Sequence, residues 1–112
     1  MKIAVTATGP TLDSLVEPRF DWAEFLLIMD TGSGAAEALR NPLGAAAGGA
    51  GVETARLIAE QGAQVVLTGE CSAEAHQALS TAGISVHLGA SGFVREALDR
   101  FKRGGFKPTD SA

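Results

Sequence analysis

Apolar and polar positions along this chain follow first a short period and then a long one, and the switch marks its elements. Lys2 to Thr6 is mostly apolar and ends at a Thr8-Gly9-Pro10 breaker, which predicts a first strand. Residues 11–22 are polar and irregular, a loop carrying Asp13, Glu17, Pro18, Arg19 and Asp21. Glu24 to Asp30 is nearly all apolar, as expected for a second strand buried on both faces. Thr31-Gly32-Ser33-Gly34 has the composition of a turn. Ala35 to Arg40 stays open between two readings: its alanines favour helix, whereas the turn before it suggests a hairpin partner strand. Asn41-Pro42 ends it either way.

Beyond the glycine–alanine segment Gly44 to Gly51, the period lengthens. A helix is predicted with Val52, Ala55, Ile58 and Ala59 on one face, ended by Gly62. Gln64 to Thr68 reads as a strand. Ser72 is placed to cap a second helix with the stripe Ala75, Ala78, Leu79 and Ala82, ended by Gly83. Ile84 to Leu88 is a fifth strand, and Ser91 is placed to cap a third helix bearing Val94, Ala97, Leu98 and Phe101. The strand–glycine–serine–helix order at 65–82 repeats at 84–103, which implies parallel strands joined by right-handed crossovers. The amino-terminal strands have no helices between them and should pair antiparallel. The expected fold is α/β, a ribonuclease H-like mixed five-stranded sheet with three helices in α/β/α layers. It should form one domain over residues 1–107, with a flexible tail at 108–112.

Composition narrows the function more than the fold. A length of 112 residues with 46% hydrophobic content suits a single modest core. The net charge of −4 argues against nucleic acid as a partner. Cations do gather at Arg95, Arg100, Lys102, Arg103 and Lys107, against Glu96 and Asp99, and this pattern reads as a solvated helix face. No apolar run approaches membrane-spanning length, and the amino terminus lacks the apolar region of a secretory signal. With a single cysteine, Cys71, no internal disulfide can form. A cytoplasmic protein without membrane contact is expected.

The candidate chemistry lies at the carboxyl ends of the parallel strands, where ligands settle in open α/β sheets. Thr8-Gly9, Gly69-Glu70-Cys71-Ser72 and Gly89-Ala90-Ser91 fall on that rim, and Gly48-Gly49-Ala50-Gly51 leads into the first helix. Three helix amino-termini should therefore meet there, with N–H groups available to an anion. Arg19, the one basic residue between Lys2 and Arg40, can pair with such an anion or with Asp13, Glu17 or Asp21. Cys71 precedes a helix start, where a thiol pKa is lowered, so it is a candidate ligand for a soft metal such as Cu(I). The alternative is a small residue filling a tight turn. Catalytic groupings are thin. The first strand carries no acid of the kind that metal-dependent nucleases need, and neither histidine has a nucleophile at a family spacing. His76 reads as solvent-facing and His87 as a partly buried structural residue. Gly49-Ala50-Gly51 matches a dinucleotide fingerprint only weakly, with Thr54 where a glycine is wanted. No enzyme is expected.

Leu12-Asp13-Ser14, Pro18-Arg19-Phe20, Gly49-Ala50-Gly51, Val66-Leu67-Thr68-Gly69 and Ala82-Gly83-Ile84, in that order, resemble the dinitrogenase iron–molybdenum cofactor biosynthesis family. The likeness runs from about residue 2 to residue 103. That family includes NifX-like proteins, the carboxy-terminal part of NifB, and orange proteins that carry a molybdenum–copper sulfide cluster. The resemblance implies a binding or carrier role for an anionic metal–sulfur cluster. A molybdenum–copper sulfide cluster is expected ahead of the iron–molybdenum cofactor or its precursor, with a cofactor-delivery or acceptor protein as partner. It also implies that Asp13, Ser14, Arg19, Gly49 to Gly51 and Thr68 to Ser72 are site positions. Gly48 stands where many relatives have histidine, and Asp21-Trp22 where many have glycine-arginine. Both departures fit a non-covalent site, with Trp22 as one wall. The competing expectation is a metal-free interaction module that uses the basic last helix or the loop 10–22.

Overall fold

A computed structural model describes residues 1–41 and 51–105 of the chain. Its five strands are β1 (Lys2–Ala7), β2 (Phe25–Asp30), β3 (Ala36–Arg40), β4 (Ala63–Leu67) and β5 (Ser85–His87). They form one sheet in the order β3-β2-β1-β4-β5. Strand β2 runs antiparallel to both β1 and β3, whereas β4 is parallel to β1 and to β5. Ala35 to Arg40 therefore belongs to a hairpin, and its alanines do not make a helix. Gly34 takes a positive φ of 76°, and its N–H donates to Asp30 O, while Asp30 N–H donates to Ala35 O. That turn reverses the chain and lays residues 36–40 along residues 25–29.

The helices α1 (Gly51–Glu60) and α2 (Ala73–Thr81) cover one face of the sheet, and α3 (Val94–Lys102) covers the other. Ala55, Ile58, Ala75 and Leu79 pack on Ala4, Leu26, Ile28, Val66 and Val86. Val94, Ala97 and Leu98 pack on Ile3, Val5, Leu27, Met29, Val65 and Leu67. Adjacent residues of β1 and β2 thus enter different cores, which is why both strands read as unbroken apolar runs. The architecture is the expected mixed five-stranded α/β/α sheet.

Two local expectations need correction. The buried stripe of α1 is Gly51, Thr54, Ala55 and Ile58, whereas Val52 is 40% exposed and Ala59 lies at the surface. Thr54 is inward because its Oγ1 accepts from the buried Asn41 side chain at 3.0 Å, and the same amide donates to Ala23 O. Helix α3 is not capped by Ser91, which is exposed. Its N-cap is Phe93, two residues later, after Gly92 has turned the chain with φ +77°. Ser72 does cap α2 as expected, its Oγ accepting from Ala75 N–H at 3.2 Å.

The long loop between β1 and β2 crosses the top of the sheet. Val16 joins the core under α3, and Phe20, in a short 3₁₀ turn at Phe20–Trp22, joins the core under α1 and α2.

Candidate functional site

The rim is built from the carboxyl ends of β1 and β4, which run side by side. Beneath it lie two fully buried threonines. Thr6 Oγ1 donates to Glu17 O at 2.8 Å, so Thr68 must donate to Thr6 Oγ1 across their 2.7 Å contact. Glu17 N–H returns to Thr6 O. The loop then pairs with the chain leaving β4: Glu70 N–H donates to Pro18 O at 2.7 Å, and Phe20 N–H to Glu70 O at 2.9 Å. Gly69 makes this approach possible, since a Cβ there would stand 2.5 Å from Pro18 O.

That pairing opens a cleft of about 300 Å³ lined by Arg19, Phe20, Asp21, Trp22, Glu70, Cys71 and Ser72. Phe20 is fully buried, and Trp22 is 39% exposed. The Arg19 guanidinium lies 5.3 Å from the centre of the Trp22 ring, a cation–π contact. It makes no ion pair with a described residue, so the salt bridges weighed for it with Asp13, Glu17 and Asp21 do not form. Its backbone N–H does bond the Glu17 carboxylate at 3.1 Å. Asp21 Oδ1 accepts from Ser72 N–H at 3.2 Å at the start of α2. Its other oxygen lies 2.6 Å from where a Cβ on Gly51 would be, so any larger residue at the start of α1 would displace this carboxylate and crowd Ala75.

Cys71 is half-buried beside this carboxylate. Burial, helped by the Asp21 charge, pushes its thiol up to about 11. This reverses the expected lowering: loss of solvent and a neighbouring anion both disfavour the thiolate.

The site residues read from the sequence divide into two groups. Arg19, Trp22, Glu70, Cys71 and Ser72 meet around the cleft, with Gly69 and Gly51 at its borders. Thr8, Gly9, Asp13, Ser14, Gly89 and Ser91 are not among the residues that line it. Thr8 N–H donates to Leu15 O, and a Cβ on Gly9 would meet Ser14 Oγ at 2.7 Å. Asp13 pairs with Arg95 of α3 at 3.1 Å. The carbonyls of Ser14 and Leu12 accept from Val94 and Arg95 N–H, so the amino terminus of α3 is already satisfied and takes no part in the cleft. Gly89 N–H donates to Gly69 O. Gly48, Gly49 and Ala50 lie outside the described residues.

Sequence reasoning did not single out Phe20 and Asp21 as site residues. The one available signal was a large aromatic residue in an otherwise polar loop. His87 is buried and meets Phe101 edge-on at 5.1 Å, a packing role. Among the described residues no group of three or more His, Cys, Asp or Glu could hold a metal ion, and no helix is long and apolar enough to cross a membrane.

An open mixed sheet with a small polar cleft at the ends of its parallel strands is the frame of a ligand-binding α/β protein. The chain belongs to the dinitrogenase iron–molybdenum cofactor family, whose profile matches residues 1–104, and this membership supports a cofactor-binding or carrier role. It is similar to the apo form of the orange protein from Desulfovibrio gigas. Identity there is 42%, the TM-score is 0.91, and the match covers 96% of this chain and 92% of that one. A candidate NifB protein from Thermotoga is 30% identical with a TM-score of 0.86, covering 97% and 93% of the two chains. A candidate dinitrogenase from Methanocaldococcus jannaschii shares the fold at 15% identity and TM-score 0.72, covering 96% and 93%. No curated protein sequence matches the chain.

Proposed function

We propose that the protein binds and carries an anionic metal–sulfide cluster, of the molybdenum–copper type ahead of the iron–molybdenum type, in the cleft between the 3₁₀ turn and the start of α2. The observation that carries this reading is Arg19, a cation without a described ion-pair partner, placed over the Trp22 ring at the cleft. A guanidinium so placed offers N–H donors to sulfide or oxide, and the indole supplies a polarisable wall. The donor set supports non-covalent retention of a cargo that brings its own sulfides. Cys71 is a protonated thiol near neutral pH, and the described residues offer no cage of ligands around it. Similarity to the orange protein points the same way.

The test is to mix apo protein anaerobically with tetrathiomolybdate and copper, desalt, and measure bound metal and visible absorbance. Near-stoichiometric retention that falls about tenfold in R19Q is expected, the loss of one charge-assisted contact in a partly desolvated site. Retention no higher than by a charge-matched control protein refutes the reading.

One observation favours the alternative, a metal-free interaction module. Leu15 and Phe93 bridge the loop to the start of α3, yet remain 51% and 47% exposed. Pull-down from the native cell extract distinguishes the two: a stoichiometric partner lost in L15S/F93S but kept in R19Q supports the module.

A further inference from the structure

The amino-termini of α1 and α2 converge beside the cleft, and their meeting point is filled. Asp21 arrives from the 3₁₀ turn and places one carboxylate oxygen 3.2 Å from Ser72 N. The other oxygen lies against Gly51, with the Ala75 methyl group 2.9 Å from the same Cβ position. An anion entering at those helix starts meets a negative charge of the protein's own. Of the charged groups around the cleft, Arg19 is positive, whereas Asp21 and Glu70 are negative.

We propose that Asp21 is the charge-selecting residue of this cleft: its carboxylate takes the Ser72 N–H at the start of α2 and lies against the first residue of α1, the place that a bare anion would take, and so holds such anions off. The inference rests on the proposed cargo-binding role for its biological meaning, but the occupancy itself is geometric. Helix starts favour anions because their first N–H groups lack intrahelical acceptors. Asp21 accepts from one of those groups, Ser72 N–H. The same charge contributes to holding the Cys71 thiol protonated. The residues that remain for cargo are Arg19 and Trp22 at the cleft. The cleft thus selects ligands that gain from a guanidinium and an aromatic face, rather than small dianions that need backbone amides.

The experiment compares wild type with D21N, which keeps an oxygen for Ser72 N–H while losing the charge, and with D21A, which empties the place. Folding is checked by circular dichroism. The probe is tetrathiomolybdate alone, measured by equilibrium dialysis, with the pH profile of Cys71 alkylation by iodoacetamide as a readout independent of any cargo. Removing a full charge a few ångströms from the binding point should tighten anion binding about tenfold in D21N. The alkylation midpoint should fall below that of wild type. Tighter binding in D21N supports the proposal even where wild type binds no cluster, a result that would refute the carrier reading alone. Binding no tighter in folded D21N and D21A, or an alkylation midpoint that does not move, overturns the assignment of Asp21.

Discussion

Two helix starts face the same rim and are treated in opposite ways. At α3, the carbonyls of Leu12 and Ser14 take the N–H groups of Arg95 and Val94, and Glu96 reaches back to Phe93 N–H at 3.1 Å. The corner is closed by backbone, and its outer ion pair, Asp13 with Arg95, lies in solvent. At α2, the Ser72 cap and one oxygen of Asp21 are what engage the helix start among the described residues, and a cleft remains between them and Arg19. The potential of a helix amino terminus is the same in both places. Its use depends on whether the preceding loop supplies carbonyls or side chains.

The sharpest way to break this contrast is to remove the floor of the open corner. F20A deletes a fully buried ring from the core under α1 and α2 and should cost about 3–5 kcal/mol in urea unfolding, with loss of cargo retention. G69A comes next. Its new methyl group meets Pro18 O, so the pairing of residues 18–20 with residue 70 must shift, at a cost of about 1–3 kcal/mol by the same measurement.

A smaller effect follows from the Cys71 thiol. Its pKa rises from 9.0 to about 11 on folding, so the folded state keeps a proton that the unfolded chain releases between those values. The contribution is present in full below pH 9 and is lost as pH rises towards 11. Stability measured across that window should fall less steeply in C71A than in wild type. Least of all, R95A at the closed corner should cost no more than about 1 kcal/mol and leave cargo retention unchanged, because its ion pair is exposed and the backbone bonds remain. A large effect of R95A on retention would erase the distinction between the two corners.

Four of the five strands were legible because they carry mostly apolar runs bounded by turn residues, whereas the alanines of Ala35 to Arg40 left that strand open to a helical reading. The Ser72 cap was legible because serine before an alanine-rich stripe has a local meaning. What escaped depended on contacts distant in sequence. Ser91 looks like a cap, but the acceptors for α3 come from Leu12 and Ser14, about 80 positions earlier. Thr54 was not part of the expected apolar face of α1, yet its bond to Asn41 places it inside. For Cys71, proximity to a helix start argued for a lowered pKa, while burial and Asp21, 50 positions away, argued the reverse and prevailed. Within the site, Arg19, Trp22 and Glu70 to Ser72 were readable as a set. Asp21 was visible as a residue of the loop, but its role required knowing that α1 begins beside it.

The crossing loop also ties the two halves of the molecule together. Val16 is anchored in one core and Phe20 in the other, only four residues apart. The 3₁₀ turn is thus tied by one short stretch of backbone, across the carboxyl ends of β1 and β4, to the layer on the opposite side of the sheet. A lone peptide-bond cut between those anchors would remove that direct tether, leaving the two helical layers joined through the sheet they share.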